Sequence, residues 1–357
     1  MNLNRRDLIL SGLAGSALAA LGPGRSLAAD LRQVRFGVGL KLLNITFMNV
    51  MIGEPLGFTH QQGFQLQGLS LGSLSATFIA LDRGDIEFGV ISPSVALPLF
   101  AKGELPPIRC MYEYSYPYKW DVTVKPNSPI QSYQDLRGKK IGVSNLGATD
   151  YPVTREVLKN LSIDPDNDVS WVVVGEGVTA GVALDRGDID ALAYFDTGFG
   201  LIENAGIAMR YLPRPPKIPF IGGFFIGARR DFIEKNHALC AAFARTIAMS
   251  SEYILANPPA GAKAFLELYP GQAPEGLSPT EAAIKTANAM KRRILLYRPP
   301  YPGLKMGAIQ EAELRREADF INLQIPDLKP LYTNSLIDEA NNFDRAKVMA
   351  MAKAQAI

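Results

Sequence analysis

A seven-residue segment occurs twice in this chain, at residues 80–86 and again at residues 183–189. Both copies read Ala-Leu-Asp-Arg-Gly-Asp-Ile, and an acidic residue follows each copy. The glycine suits the left-handed backbone conformation that ends many helices, and the apolar residues after it are typical of a buried strand. The repeat therefore predicts two related helix-turn-strand units. Because the copies lie far apart, we expect them in two α/β lobes that face each other across a cleft.

The size and charge of the chain narrow the possible functions. Its 357 residues, of which 47% are hydrophobic, suffice for two globular lobes with real cores. The 37 basic and 35 acidic residues give a net charge of only +2. Nucleic acid is therefore not an expected partner, because no basic excess is present to neutralise phosphates.

The first 28 residues have the features of an export signal. Paired arginines, Arg5 and Arg6, precede the moderately apolar run Leu8–Leu21, and small residues at 26–28 resemble a cleavage site. The run is too short to anchor the chain in a bilayer. The arginine pair favours the twin-arginine route, and an ordinary secretory signal is the alternative. We expect the mature protein in the periplasm.

The cysteines and histidines give no sign of a metal, cofactor or catalytic site. Cys110 lies in an expected strand and Cys240 in an expected helix, so we predict two buried free thiols rather than a disulfide. No Cys-x-x-Cys spacing occurs, which argues against zinc. His60 and His237 belong to no nucleophile motif. We therefore expect a protein that is not an enzyme.

Strand-like and helical segments alternate along the chain, which predicts mostly parallel sheets. An aromatic-rich passage at 112–125 and a proline-rich one at 213–219 are expected to cross between the lobes. Strand-like residues 220–226 follow the second passage. Helices are expected at 230–256, 262–268, 279–296 and 307–322, packed back on lobe one. The predicted boundaries are 29–118 with 220–357 for lobe one, and 119–219 for lobe two.

Residues 130–143 read Ile-Gln-Ser-Tyr-Gln-Asp-Leu-Arg-Gly-Lys-Lys-Ile-Gly-Val. This segment resembles the D-L-x-G-K-K-I-G-V signature of bacterial substrate-binding proteins. With the two repeats and Gly175, residues 33–270 resemble the nitrate/sulfonate/taurine and thiamine-pyrimidine-precursor group of ABC-importer binding proteins. The resemblance implies an α/β, two-lobed periplasmic-binding-protein (type II) fold, with two mostly parallel sheets and helices on both faces. It also implies capture of a small organic or oxyanion ligand for an ABC permease in the inner membrane.

In that family the ligand lies at loops that follow strand ends, where helix N-termini favour anionic groups. Ser92–Ser94 and Gly147–Thr149 could equally be ordinary helix starts. Carried over to this sequence, the predicted ligand-binding residues are Asn44, Thr46, Gly72, Ser73, Ser92, Pro93, Ser94, Tyr116, Ser144, Asn145, Gly147, Ala148, Thr149, Asp196 and Thr197.

Two carboxylates leave the charge of the ligand open. Asp196 and Glu113 would repel an anion if they faced the cleft, and would then favour an amine or a protonated heterocycle. If Asp196 points outward, it is a helix cap. Two other functions also stay open. One is a pyrimidine-precursor-synthesis enzyme on the same fold, although its iron-binding, cysteine-rich motif is not found here. The other is the ligand-binding component of a sensor.

Overall fold

The computed structural model describes residues 31–117 and 119–357. The predicted export signal lies outside these residues. The strands are β1 (Arg32–Val38), β2 (Phe64–Ser70), β3 (Phe88–Ile91), β4 (Ile108–Ser115), β5 (Trp120–Val124), β6 (Lys140–Val143), β7 (Ser170–Val173), β8 (Ala191–Phe195), β9 (Arg210–Tyr211) and β10 (Phe224–Arg229).

The α-helices are α1 (Met48–Met51), α2 (Phe58–Gln61), α3 (Leu74–Arg83), α4 (Pro93–Ala101), α5 (Asp150–Asn160), α6 (Val178–Arg186), α7 (Asp196–Asn204), α8 (Arg230–Lys235), α9 (His237–Ala256), α10 (Pro258–Leu268), α11 (Pro279–Ala289), α12 (Lys291–Leu295), α13 (Glu311–Phe320), α14 (Ile337–Ala340) and α15 (Arg345–Lys353). Short 3-10 helices cover Ile45–Phe47, Tyr133–Leu136, Pro270–Gln272 and Lys329–Leu331.

The strands form two five-stranded sheets with equivalent strand orders. The first sheet has the order β2-β1-β3-β10-β4, and the second has the order β7-β6-β8-β5-β9. In the first sheet β1 is parallel to β2 and β3, whereas β10 is antiparallel to β3 and β4. In the second sheet β6 is parallel to β7 and β8, whereas β5 is antiparallel to β8 and β9.

Each sheet is therefore mixed but mostly parallel, as predicted, because four strands run in one direction and only β10 or β5 runs against them. Parallel neighbours are joined through a crossover helix, which returns the chain to the same end of the sheet. The strands β5 and β10 instead arrive directly from the other sheet. They enter at the end where the parallel strands finish, so they run in the opposite direction.

The repeated segment forms the same structure twice, as predicted. Gly84 ends α3 with φ 75°, and Gly187 ends α6 with φ 87°. In each copy the glycine amide donates to carbonyls in the last turn of the helix. The strands that follow, β3 and β8, occupy the central position of their sheets. Glycine is needed at both turns because other residues rarely adopt this backbone conformation.

Helices cover the sheets and supply most of the core. The long helix α9 packs on the first sheet, where Phe243 stacks on Phe88 with ring centroids 4.2 Å apart. The second sheet has a separate apolar cluster on each face. Cys110 and Cys240 are buried and free, as predicted. Within residues 31–117 and 119–357, no helix is long and apolar enough to cross a membrane.

The C-terminal helices differ in part from the sequence prediction. The predicted helix 230–256 is interrupted at Asn236, and the predicted helix 279–296 at Met290. The strand expected at 220–226 begins only at residue 224. We expected all the late helices on lobe one. However, α11 and α12 contact α7, which follows β8 of the second sheet, and Phe320 joins an apolar cluster of that sheet.

Candidate functional site

A cavity lies at the carboxyl ends of the parallel strands of both sheets. The space inside it that the centre of a water molecule can reach has a volume of about 60 Å³. This corresponds to about four to six water molecules, so only a small group fits in the cavity as it stands in this conformation. Its walls are formed by Gly39, Leu40, Thr46, Phe47, Leu74, Val90, Trp120, Ser144, Ala148, Thr149, Asp150, Phe195, Phe224 and Arg293.

Aromatic rings from the two inter-sheet crossings form one wall of this cavity. Trp120 begins β5, after the first crossing, and Phe224 begins β10, after the second. Their rings meet edge to face, with centroids 5.6 Å apart. Gly222 has φ 83°, and a Cβ there would lie only 1.7 Å from the indole ring. Such a wall suits a flat or apolar part of a ligand.

The loop between β6 and α5 forms the polar side of the cavity. Ser144 donates its backbone N–H to Asp150 at 2.7 Å and its hydroxyl to the same carboxyl at 2.9 Å. Burial raises the pKa of Asp150 to about 6, although these hydrogen bonds act in the opposite direction. Thr149 lines the cavity, and its hydroxyl lies 3.5 Å from the hydroxyl of Ser92.

The cation in the cavity wall is neutralised by a carboxylate. Arg293 is only 1% exposed and donates from Nε and Nη2 to the two oxygens of Asp196, at 2.8 and 2.5 Å. Its Nη1 donates to the carbonyl of Thr46 at 3.3 Å. Arg293 therefore connects the start of α7, on the second sheet, with the loop that follows β1 on the first.

This ion pair answers the question about Asp196 that the sequence left open. The carboxylate neither points outward nor stands as a free charge in the cleft, because Arg293 binds both of its oxygens. It also accepts the N–H of Thr197 at 2.8 Å. Glu113 is buried at the end of β4 and is not among the residues that line the cavity.

Two hydroxyl pairs join the sheets beside the cavity. Thr46 and Thr197 lie 2.9 Å apart, and Ser92 and Thr149 form the second pair. Four of the residues predicted from sequence line the cavity itself, namely Thr46, Ser144, Ala148 and Thr149. Ser92, Asp196 and Thr197 are adjacent to it through these contacts. The predicted residues from both sheets are thus brought together.

Other predicted residues stabilise local structure around the cavity. The side chains of Asn44 and Asn145 close turns, because they accept the N–H groups of Thr46 and Gly147 respectively. The side chain of Ser73 caps the N-terminus of α3. Gly72 has φ 80° before α3. Pro93 is the first residue of α4, and Ser94 shares a hydrogen bond with Ser92 at 2.9 Å.

Tyr116 lies away from the cavity walls. Its hydroxyl donates to the carbonyl of Ala308 and accepts the N–H of Gly307, both at 3.1 Å. Both of its hydrogen-bonding roles are therefore used between the first crossing and the segment before α13. Of the aromatic passage that begins at Tyr112, the residue that lines the cavity in the described chain is Trp120.

Sequence reasoning missed several residues of the cavity wall. Asp150 carried a usable signal, since this acid follows directly on the predicted loop, and in the structure it is the first residue of α5. The sequence contained no signal for Arg293, because its partner Asp196 lies 97 residues away and no local pattern links the two. The remaining apolar residues read only as core: Leu40, Phe47, Leu74, Val90, Phe195 and Phe224. Among the residues described here, no three His, Cys, Asp or Glu side chains are grouped so that they could hold a metal ion.

Comparison with solved structures supports this architecture. A protein from Bordetella bronchiseptica RB50 is 22% identical, with 87% of this chain and 96% of that chain covered and a TM-score of 0.66. The periplasmic aliphatic sulphonate binding protein SsuA from Escherichia coli is 18% identical, with 82% and 87% covered and a TM-score of 0.56. The alkanesulfonate-binding protein SsuA from Xanthomonas axonopodis pv. citri, bound to MOPS, is 17% identical, with 86% and 97% covered and a TM-score of 0.56.

These likenesses confirm the predicted two-lobed periplasmic-binding-protein fold. No curated protein sequence matches the chain. The family model described as "NMT1/THI5 like" matches residues 44–260, which is more than half of the sequence. The chain therefore belongs to the NMT1/THI5-like family.

Proposed function

We propose that this protein is the periplasmic solute-binding component of an ABC importer. It captures a small organic or oxyanion ligand between two lobes and delivers it to a permease in the inner membrane. The observation that carries this proposal is the cavity between the sheets, because strand ends of both sheets contribute its walls. A site divided between two bodies closes on a ligand by hinge motion.

The chemistry of the walls suggests how a ligand would lie. Hydroxyls of Ser144 and Thr149 stand near the start of α5 and suit a polar head, whereas the carboxyl of Asp150 in the same wall disfavours an anion when it is ionised. The rings of Trp120 and Phe224 on the other side suit an apolar or flat body. Two of the similar solved structures are named as sulfonate-binding proteins, which makes small sulfonates the first compounds to test.

The proposal includes domain boundaries and an export route. Lobe one comprises residues 29–118 and 220–357, and lobe two comprises residues 119–219. Residues 1–28 are removed on export by the twin-arginine route. Replacing Arg5 and Arg6 by lysine should abolish accumulation of the mature chain in the periplasm. An unchanged periplasmic level would indicate the general secretory route.

A thermal-unfolding screen of the mature protein tests the function. The compounds are nitrate, taurine, alkanesulfonates, aromatic acids, pyrimidines and amines. A true ligand at about 100 times its Kd should stabilise the folded state by about 2.7 kcal/mol. Failure of all of these classes to stabilise the protein would count against a transport function. Mass spectrometry of the incubated ligand distinguishes the alternatives, because chemical conversion would identify an enzyme.

A further inference from the structure

A group of buried charged side chains lies where the chain passes between the two sheets. We call Glu113, Lys119, Glu313 and Glu317 the hinge cluster. Glu113 is near the end of β4, Lys119 precedes β5 in the first crossing, and the other two lie on α13. All four side chains are at most 6% exposed. None of them lines the cavity described above.

Lys119 connects the two crossings. Its Nζ donates to the carbonyls of Ser115 and Tyr116 in the first crossing, both at 3.1 Å, and to that of Gly222 in the second at 2.5 Å. Gly222 is also held from the other side, because its N–H donates to Oε2 of Glu317 at 2.9 Å. The geometry of the second crossing thus depends directly on this cluster.

Most of the carboxyl oxygens in the cluster are not satisfied. Within the described chain, both oxygens of Glu113, both oxygens of Glu313 and Oε1 of Glu317 are buried and accept no hydrogen bond from a donor group, although the carboxyl groups of Glu113 and Glu313 lie close enough to share a proton. A buried ionised carboxylate without a partner is costly. These oxygens therefore require a compensating charge or a proton.

The neighbouring charges do not balance the three carboxylates. The positive charge of Arg316, on α13, attracts the carboxylate of Glu313. The ammonium group of Lys119 attracts all three carboxylates. Arg293 and Asp196 also lie close enough to Lys119 to interact with it electrostatically. Their opposite charges cancel within their own ion pair, so they add no net charge to the cluster. Three carboxylates thus face two cations, which leaves one negative charge buried. Burial raises the pKa of Tyr112, Tyr116 and the thiol of Cys110, which also face the cluster, so these groups stay neutral at ordinary pH. The hydroxyl of Tyr301 faces Glu313 as well.

We propose that the hinge is a proton-binding device. The hinge cluster holds the two crossings against α13 when its carboxyl groups carry protons, and it loosens as these groups ionise. This proposal concerns the hinge itself, so it stands or falls independently of the identity of the ligand.

The direction of the pH effect follows from the carboxyl groups. Burial and the neighbouring carboxyl of Glu313 hold the pKa of Glu113 well above its usual value, and burial raises that of Glu317 to about 7. Groups with a raised pKa stabilise the folded hinge at low pH, and this stabilisation is lost as the pH rises through that pKa. Burial lowers the pKa of Lys119 to about 7, so most of its opposite contribution falls above that pH. The carboxyl groups therefore dominate the window from pH 5 to pH 7.

Hydrogen exchange of the ligand-free mature protein provides the test. The readout is the protection of backbone amides in residues 220–223 at pH 5 and pH 7, after correction for the intrinsic pH dependence of exchange. We expect wild-type protection to fall by about tenfold or more between the two values, since one pKa unit corresponds to a factor of ten. Glu113→Gln or Glu317→Gln should remove most of this fall, because the amide cannot ionise.

Asp319→Asn is the matched control, because Asp319 is exposed on the same helix. This control should respond to pH like the wild type. The two glutamine variants provide independent readings if one of them does not fold. A wild-type hinge that is equally protected at both pH values would overturn the proposal. So would a fall in protection that persists in the glutamine variants, because the titrating groups would then lie elsewhere.

Discussion

Asp150 gives the clearest pH prediction at the scale of single residues. Its burial raises the pKa from 3.8 to about 6, which corresponds to about 3 kcal/mol of unfolding free energy. This stabilisation is complete below pH 3.8 and is lost as the pH rises through 6. Asp150→Asn should therefore gain stability relative to the wild type between pH 4 and pH 7, as measured by chemical denaturation. Asp188→Asn, at an exposed position, is the control. A constant difference between Asp150→Asn and wild type across this range would contradict the assignment.

The buried ion pair between Asp196 and Arg293 gives a second prediction at this scale. Asp196→Asn leaves the Arg293 guanidinium buried without its charge partner, which should cost about 3–5 kcal/mol of unfolding free energy. The exposed pair of Lys305 with Asp338 offers the comparison, and Asp338→Asn should cost at most about 1 kcal/mol. Urea denaturation measures both. If both substitutions lowered the free energy of unfolding by the same small amount, the buried pair would contribute little to stability. A change in ligand affinity in Asp196→Asn would thus report on the contact between the sheets, not simply on ligand charge.

At the scale of elements, the packing of α7 against α11 depends on one glycine. A Cβ at Gly200 would lie 2.1 Å from the carbonyl oxygen of Ala289, and backbone cannot move aside as a side chain can. Gly200→Ala should destabilise the fold by about 1–3 kcal/mol through overpacking, even though alanine is the better helix former. Gly271→Ala is the control, because a Cβ there meets nothing within 4 Å. A denaturation midpoint that is unchanged or raised in Gly200→Ala would show that the helices separate easily.

The elements also show how far the sequence alone could lead. The repeats were predictable because helix, glycine turn and strand are specified by neighbouring residues. The positions of Ser144 and Thr149 were predictable because loops after parallel strands meet at one edge of a sheet. The roles of Arg293 and Phe224 were not predictable from the sequence. Both residues lie in segments in the C-terminal half of the chain that pack against segments from its N-terminal half. The antiparallel direction of β5 and β10 depends on their passage between sheets, which periodicity does not record.

At the scale of the whole molecule, the central claim is that one small ligand binds between the two sheets. Ala148 lines the cavity, whereas Leu146 in the same loop is 56% exposed. Ala148→Phe should therefore fill the site, and Leu146→Phe should leave it open. Both variants add an aromatic ring to the same loop, so they differ in where the ring lies.

Titration calorimetry of wild type and these two variants, with the compound that stabilises the protein most in the screen, is the most direct measurement. We predict one ligand per chain for the wild type and for Leu146→Phe, with similar Kd. For Ala148→Phe we predict affinity at least about a hundredfold weaker, equivalent to about 2.7 kcal/mol. Equal affinity of a folded Ala148→Phe variant and the wild type would contradict the account, because the ligand would then bind outside this cavity.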